Sequence, residues 1–174
     1  MQPVLDTRRL RLRLPVMEDA AGVAEYATDP DVSRYLSWPR HRSPADAEAF
    51  LKYAIGAVEK GHERNWVIVD RATSGVVGTI GLRVQGHRME LGYALGRRWW
   101  GQGLATEAAD AVVAWALAQP DVHRVWAVCD VDNAASARVL EKVGMRREGR
   151  LANWAVMPNL GGVPRDCWCY ARVM

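Results

Sequence analysis

Gly101-Gln102-Gly103-Leu104-Ala105-Thr106 is the stretch of sequence that decides the fold of this chain. An apolar run over residues 91–95 precedes it and a long apolar pattern over residues 104–117 follows, which predicts the order strand, glycine turn, helix. This order brings free backbone N–H groups and the positive end of a helix dipole to one point, where phosphates bind. The glycines lack a Cβ, so a ligand oxygen can approach the main chain closely. The stretch therefore predicts a site for a phosphate-bearing ligand at the start of a helix.

Size and composition are those of one ordinary folded domain. A chain of 174 residues can bury one core, so we expect a single domain over residues 1–174. Hydrophobic residues make up 49% of the chain and charged residues 25%, and the formal net charge is +3. The arginines alternate along predicted strands or stand singly, without an aromatic-interleaved patch, which argues against nucleic acid as a partner.

Targeting and redox features favour a cytoplasmic location. The sequence begins Met1-Gln2-Pro3, unlike a signal peptide, and no apolar run reaches membrane-spanning length, so we expect no membrane partner. The cysteines at positions 129, 167 and 169 are odd in number and lack paired metal-ligand spacing. We therefore expect a reducing compartment and no metal, with Cys167 and Cys169 as small buried hydrophobic residues.

The first half of the chain predicts a strand, helices and an antiparallel meander. Leu10, Leu12 and Leu14 alternate with arginines, the pattern of a strand with one buried face. The segment Ser43-Pro44-Ala45-Asp46 predicts a capped helix start, and Gly61 would end that helix. Three strands are then expected over residues 66–70, 76–82 and 89–95.

The second half predicts a crossover that follows the glycine turn. The apolar run over residues 125–129 is typical of a strand inside a parallel pair. A helix is expected over residues 134–143, and two final strands around residues 145–154 and 167–174. Together the elements predict an α+β fold with a mixed, mostly antiparallel twisted sheet of about seven strands, flanking helices and one βαβ crossover.

Three classes of phosphate site compete for the glycine turn. A P-loop needs Gly-Lys followed by Ser or Thr, whereas Leu104 and Ala105 follow Gly103 here. A dinucleotide fingerprint wants a third glycine where Thr106 stands, and Asp130 lies farther on than the ~20 residues expected for a ribose-binding acid. A nicotinamide-dependent enzyme is therefore disfavoured, and coenzyme A is the third class.

The stretch from Leu95 to Ala105 resembles the acetyl-CoA-binding motif of the GCN5-related N-acetyltransferases (GNAT). Asn133-Ala-Ala-Ser136, followed by residues 139–145, is similar to the second signature of that superfamily. The chain most resembles the RimJ/RimL-like branch, which acetylates protein N-termini and diverse small amines. Further matches to the branch, which extend the resemblance over essentially the whole chain, lie at residues 7–13, 18–20, 38–39, 90–93, 106–108 and 166–170. The resemblance implies the single-domain GNAT fold.

The resemblance also implies acetyl-CoA as the cosubstrate. The backbone of residues 101–106 would cradle the pyrophosphate, Tyr93 to Leu95 would pair with the pantetheine arm as an added half-strand, and Asn133 would bond the pantetheine. Trp100 stands where the superfamily often has Gln or Arg, although the branch commonly has Trp there. The implied cofactor-binding residues are Tyr93, Ala94, Leu95, Trp100, Gly101, Gln102, Gly103, Leu104, Ala105, Thr106, Asn133 and Ser136.

The reaction implied by the resemblance is direct attack of a primary amine on the thioester in a ternary complex. The acceptor would be a protein N-terminus or a small-molecule amine, bound between residues 29–42 and 153–165. Glu90 or Asp166 would take the proton of the amine, directly or through water, and Ser136 or water would protonate the leaving thiolate. The candidate substrate contacts are Trp38, Glu90 and Trp154.

Simpler structural roles compete with these assignments. Asn133 could be only a helix N-cap, Ser136 a solvated hydroxyl and Glu90 a surface charge, and Asp166 could bind an arginine such as Arg165 or Arg172. Trp99 and Trp100 could lie in the core or form a lid over the cofactor, and the core is favoured. A non-catalytic acyl-CoA-binding or regulatory module is the main alternative to an enzyme. A homodimer is compatible with the branch.

Overall fold

The computed structural model describes residues 2–174, which form an eight-stranded sheet with helices on both faces. The strands are β1 (Leu5–Asp6), β2 (Leu10–Arg13), β3 (Glu63–Asp70), β4 (Val76–Gln85), β5 (Arg88–Leu95), β6 (Arg124–Asp130), β7 (Arg146–Val156) and β8 (Pro164–Val173). The α-helices are α1 (Ala20–Ala27), α2 (Pro30–Ser33), α3 (Pro44–Glu59), α4 (Leu104–Leu117) and α5 (Ala134–Lys142), with 3-10 turns at Met17–Asp19, Arg97–Trp99 and Pro158–Leu160. None of the helices within residues 2–174 has the length and apolar character needed to cross a membrane.

The predicted α+β architecture is confirmed. The sheet order is β1-β2-β3-β4-β5-β6-β8-β7, and among these strands the β5–β6 pair alone is parallel, joined by the crossover through α4. The strand beyond the expected seven is β1, whose two residues are too few to produce a periodic pattern. Leu14 lies beyond the end of β2 and is 41% exposed, so its predicted place in the strand is wrong. Pro15 follows it and cannot donate to a ladder.

The predicted start and end of α3 are confirmed. The Ser43 amide donates to Asp46 Oδ2 at 2.9 Å, and Pro44 occupies the first helical position. Gly61 has a φ of +75° just beyond the helix, the left-handed conformation that commonly ends helices. Between these ends, apolar residues such as Leu51 pack against α1.

The two faces of the sheet carry different helices. In β5, Met89, Leu91 and Leu95 belong to the large core that α4 and α5 complete, whereas Ala94 packs with α1 and α3. Because successive residues of a strand point to opposite faces, α4 and α5 cover one face and α1 and α3 cover the other. These are called the α4–α5 face and the α1–α3 face below.

β5 and β6 separate soon after they meet. Their parallel pairing covers three residue pairs and ends at Glu90 opposite Trp126. β6 continues to Asp130 paired on its other side with β8, and β5 continues to Leu95 paired with β4. The facing edges of the two strands are therefore unpaired beyond Glu90, and a gap opens in the middle of the sheet.

Candidate active site

A cavity of about 420 Å³ lies where β5 and β6 separate. Small-molecule sites commonly measure ~300–1,000 Å³, so the cavity is large enough for reacting groups. Both faces of the sheet contribute to its wall. The predicted site residues in that wall are Trp38, Glu90, Tyr93, Ala94, Asn133, Ser136 and Trp154. The fold thus joins candidate cofactor and acceptor residues around one space.

The start of α5 forms one side of the cavity. Asn133 Oδ1 accepts a hydrogen bond from the Ser136 amide at 3.1 Å, so Asn133 is the N-cap of the helix. This bond occupies the side-chain oxygen of Asn133 but not its NH₂ group, which can still donate. The capping role and the predicted ligand role are therefore compatible, because they use different atoms.

Tyr93 and Ser136 form a hydroxyl pair that sequence patterns do not predict. Their oxygens are 2.8 Å apart, and both residues line the cavity. Burial raises the pKa of the Tyr93 hydroxyl, so this group stays protonated at neutral pH. Since each hydroxyl can donate and accept, the pair can supply a proton to the cavity. The two residues are 43 positions apart in the chain, and their contact arises only in the folded sheet.

A row of charged side chains crosses the cavity wall on the α1–α3 face. Glu63, Arg83 and Glu90 are cross-strand neighbours on β3, β4 and β5. Arg83 lies 3.7 Å from Glu63 and 3.6 Å from Glu90. Both oxygens of Glu63 accept hydrogen bonds from neighbouring side chains, whereas Glu90 accepts one, from Gln85 at 3.2 Å. Glu90 therefore keeps capacity to accept a proton or a hydrogen bond from an amine.

Aromatic side chains form another part of the wall. Trp38 and Phe50 stack with ring centroids 6.4 Å apart, and His41 packs 5.0 Å from Trp38. Burial lowers the pKa of His41, which keeps its ring uncharged at neutral pH. Trp154, on β7, also lines the cavity and is 51% exposed. Trp38 and Phe50 are called the aromatic wall below.

The glycine turn lies outside the cavity, at the start of α4. Gly101 and Gly103 have φ values of +73° and +76°, and Gly103 is the N-cap of the helix. The N–H groups of a first helical turn have no intrahelical partner and can bind an anion. Arg9 steadies the turn, because its Nη1 donates to the Gln102 carbonyl at 2.8 Å while its Nε donates to Glu107 at 2.7 Å. The predicted order of glycine turn and helix start is therefore present.

Trp100 links the glycine turn to the end of β5. Its Nε1 donates to the Leu95 carbonyl at 2.8 Å. Trp100 is 47% exposed, so the core position predicted for it is wrong, whereas Trp99 packs against the large core as predicted. The side chains of Leu95 and Leu104 are buried, so these residues can offer a ligand only their backbone.

Asp166 is not brought to the cavity with Glu90. Its Oδ1 accepts from the Asn153 amide at 2.8 Å, and its Oδ2 accepts from Arg150 Nε at 2.8 Å. These two bonds lower the pKa of Asp166, the bond from the Asn153 amide most. Asp166 does bind an arginine, as expected for a structural role, but that arginine is Arg150. Arg165, one of the two arginines expected there, pairs elsewhere.

A buried ion pair at the end of β6 was not predicted. Asp130 is 1% exposed and its carboxylate binds the Arg165 guanidinium, which also donates to Asp132 Oδ2 at 2.7 Å. Asp130 also accepts from the Asp132 amide at 2.9 Å, and its carbonyl accepts from the Asn133 amide at 2.9 Å. The ion pair therefore holds the turn that carries Asn133. Because both oxygens of Asp130 already accept hydrogen bonds from Arg165, this carboxylate is a poor ligand for a ribose, which further disfavours a nicotinamide site.

The three cysteines are protonated thiols at neutral pH. Burial raises the pKa of Cys129 to about 12 and that of Cys167 to about 11. Cys129 and Cys167 are buried, as predicted for Cys167, whereas Cys169 is only partly buried.

Asn159 clamps the segment that carries Trp38. Its Nδ2 donates to the carbonyls of Ser33 at 2.7 Å and Trp38 at 2.9 Å, and its Oδ1 accepts from the Arg40 amide at 2.9 Å. Asn159 lies in the β7–β8 connection, two residues after the cavity-lining Met157. One side chain therefore joins the two segments between which the acceptor pocket is expected.

Replacing Asn159 should loosen the contact between these two segments. Asn159→Ala removes three hydrogen bonds, and we expect a loss of about 1–3 kcal/mol in unfolding free energy. Hydrogen exchange at the Arg40 amide should accelerate in this variant. Asn159→Asp keeps the oxygen that binds the Arg40 amide, but it loses both donated bonds and places an acceptor oxygen against two carbonyls, so it should also lose stability. Equal exchange rates at Arg40 in wild type and Asn159→Ala would contradict the clamp.

Comparison with known proteins identifies the family of this chain. Residues 9–146 match the model of the acetyltransferase (GNAT) domain family. The uncharacterized N-acetyltransferase YoaA of Bacillus subtilis is 31% identical to the chain, over 99% of this chain and 98% of YoaA. The [ribosomal protein uS5]-alanine N-acetyltransferase of Escherichia coli is 26% identical, over 83% of this chain and 79% of that protein.

The fold is also that of a solved acetyltransferase. The microcin C7 self-immunity acetyltransferase MccE, crystallised in complex with acetyl-CoA and AMP, superposes with a TM-score of 0.87. The alignment covers 97% of this chain and 94% of MccE at 19% identity. With the family model matching most of its length, this chain belongs to the GNAT acetyltransferase family and is an acyltransferase enzyme.

Proposed function

We propose that this enzyme transfers the acetyl group of acetyl-CoA to a primary amine, either a protein N-terminus or a small molecule, in a ternary complex. The supporting observation is the gap between β5 and β6, where Glu90 on one face and the Tyr93–Ser136 pair on the other line the same cavity. A donor on the α4–α5 face and an acceptor on the α1–α3 face can meet there. On this proposal, residues 1–174 form one catalytic domain that works in the cytoplasm without a membrane or nucleic-acid partner.

The cosubstrate would extend from the glycine turn to the gap. The two left-handed glycines and the first turn of α4 suit the pyrophosphate, since they present N–H groups without a Cβ in the way. The unpaired edge of β5 from Tyr93 to Leu95 offers backbone partners to the pantetheine amides, and the Asn133 NH₂ group offers a further donor. The acetyl-CoA bound to the structurally similar MccE supports the same ligand here.

The acetyl transfer requires a proton acceptor, a proton donor and a donor to the oxyanion. The nitrogen lone pair of the amine forms the C–N bond at the thioester carbonyl carbon, and the C–S bond breaks. The proton lost by the amine passes to the Glu90 carboxylate, directly or through water, and the thiolate takes a proton from Ser136 or water. A backbone N–H on the free edge of β5 would stabilise the oxyanion, a contribution typically worth ~3 kcal/mol.

Ligand binding separates this proposal from its two alternatives. A ligand that binds only the folded state raises the melting temperature. We expect acetyl-CoA to raise the melting temperature of this protein and NAD(H) to leave it unchanged, and the reverse result would favour a nicotinamide enzyme. Release of CoA thiol in the presence of amines then separates the enzyme from a non-catalytic acyl-CoA-binding module. An alanine-initiated peptide belongs in the amine panel, because a relative acts on the alanine of ribosomal protein uS5.

Removing the carboxylate of Glu90 should slow the reaction more than removing the carboxylate of Asp166. Glu90→Gln keeps the shape of the side chain but cannot accept the proton, and general-base catalysis is typically worth ~10²–10⁴-fold in rate. We expect kcat to fall about 100-fold or more with unchanged acetyl-CoA affinity. Asp166→Asn is the matched comparison, since Asp166 is the other carboxylate implied by the resemblance. Its bonds to Arg150 and Asn153 suggest a cost in stability rather than in kcat. A large fall in kcat for Asp166→Asn alone would reverse the assignment.

A further inference from the structure

The α1–α3 face of the sheet has a bare patch inside the cavity wall. Gly81 and Gly92 are directly opposite each other on β4 and β5, and both line the cavity. The Asn65 side chain covers Gly81, because its Oδ1 lies too close for a Cβ on Gly81 to fit. A Cβ on Gly92 would meet no atom within 4 Å, and Gly92 is exposed. The patch therefore leaves open space over Gly92.

This space has a carboxylate beside it. Glu90 is two residues before Gly92 on β5, so its side chain lies on the same face of the sheet. Glu63, Arg83 and Glu90 are the charged residues in the cavity wall that the structure describes, and they sum to one negative formal charge. Such a wall attracts one ammonium group. It disfavours an anionic ligand, because the negative charge of the ligand would face a carboxylate of the wall.

Two aromatic rings also line the cavity on this face. The aromatic wall of Trp38 and Phe50 belongs to the same cavity as Gly92. Aromatic rings bind other rings in offset or edge-to-face arrangements and also attract cations to their faces. A ligand that combines a flat apolar body with one ammonium group matches both the aromatic wall and Glu90.

We propose that Gly92 is a specificity-determining residue and that the acceptor is a monocationic primary amine carried on an aromatic group. That group occupies the space over Gly92, with the amine directed toward Glu90. This inference rests on the proposed acetyl transfer, of which it names the acceptor class. A side chain at position 92 would fill the space that the acceptor needs.

Two valine variants test the proposal. Gly92→Val adds a side chain that strands favour, at a position where φ is not left-handed and no atom stands in the way. Gly149→Val is the matched control, because Gly149 is also a strand glycine with nothing within 4 Å of its Cβ position and lies outside the cavity wall. Both variants should keep the melting temperature of the wild type or exceed it.

The readout is the ratio of kcat/KM for phenethylamine to kcat/KM for ethylamine, with CoA thiol release as the assay. We expect wild type and Gly149→Val to favour phenethylamine, and Gly92→Val to lower the ratio about tenfold or more, since even one methylene group discriminates by ~10–200-fold. The Kd of acetyl-CoA should be equal in all three proteins.

Three results would overturn the inference. They are an unchanged ratio in Gly92→Val, a weaker acetyl-CoA affinity in that variant, and a wild-type preference for an alanine-initiated peptide or for 1,4-diaminobutane over phenethylamine. In each case transfer to an amine persists, so the proposed function survives. Absence of CoA release with every amine, despite acetyl-CoA binding, would overturn both.

Discussion

Gly103→Val is expected to weaken acetyl-CoA binding at least about 100-fold, which corresponds to about 2.8 kcal/mol. Gly103 has a φ of +76° and is the N-cap of α4, where a β-branched residue is strained. The valine would move the backbone out of the left-handed region, or place a Cβ where a phosphate oxygen must approach. Either change disturbs the N–H groups proposed to hold the pyrophosphate. Isothermal titration with acetyl-CoA measures the effect.

A second left-handed glycine separates ligand binding from backbone strain. Gly61 has nearly the same φ, +75°, and open space around its Cβ position, but it lies at the end of α3 and outside the cavity wall. Gly61→Val should therefore cost a similar amount of stability and leave acetyl-CoA affinity unchanged. Unchanged acetyl-CoA affinity in Gly103→Val, or an equal loss of that affinity in both variants, would show that the glycine turn is not part of the proposed site.

Asp130→Asn is expected to lower the unfolding free energy by about 3 kcal/mol. Removing one partner of a buried ion pair typically costs ~3–5 kcal/mol, because the other charge is left uncompensated. We expect the lower end of that range, since Arg165 is 26% exposed and keeps its bond to Asp132. Urea denaturation measures the loss, and acetyl-CoA affinity should fall as well because the turn before α5 carries Asn133.

The acidity of Asp130 gives this prediction a pH dependence. Burial raises the pKa of Asp130, but the hydrogen bonds and charge of Arg165 and the Asp132 amide outweigh it and lower the pKa overall. A carboxyl group whose pKa is lowered by folding stabilises the protein above its unfolded-state pKa of ~4. This stabilisation is lost as the pH falls through the folded-state pKa. The stability difference between wild type and Asp130→Asn should therefore be full at pH 7 and shrink below about pH 4.

Asp132→Asn is the matched control for the buried charge. Asp132 binds the same arginine, at 2.7 Å, but its side chain is 66% exposed. Exposed ion pairs contribute about 0–1 kcal/mol, so this variant should remain close to wild type at every pH. An equal loss of stability in both variants would show that the arginine, and not burial of Asp130, carries the effect.

Features that depend on neighbouring residues could be predicted from the sequence. The capped start of α3 at Ser43, the left-handed end at Gly61 and the glycine turn before α4 follow from backbone preferences within a few positions. The cap at Asn133 has the same origin. Boundaries were less accurate where a strand has two residues, as in β1, or where exposure depends on packing, as at Trp100.

Pairings between distant residues could not be predicted. Tyr93 reaches Ser136, Asp130 reaches Arg165, and Asn159 reaches Trp38 across separations of 43, 35 and 121 residues. Local periodicity carries no signal for such contacts. Asp166 illustrates the same limit, because the register of β7 against β8 brings it to Arg150 rather than to the cavity.

The sequence by itself determined the class of the fold and the glycine turn at which we propose that the pyrophosphate binds. Both depend on the order strand, glycine turn, helix, whose backbone geometry is local to residues 91–117. The tertiary structure alone decided which side chains share the cavity. The gap forms because β5 and β6 pair over only three residue pairs before each is held by a different neighbour, β4 and β8. That divergence belongs to the whole sheet, so no single stretch of the sequence contains it.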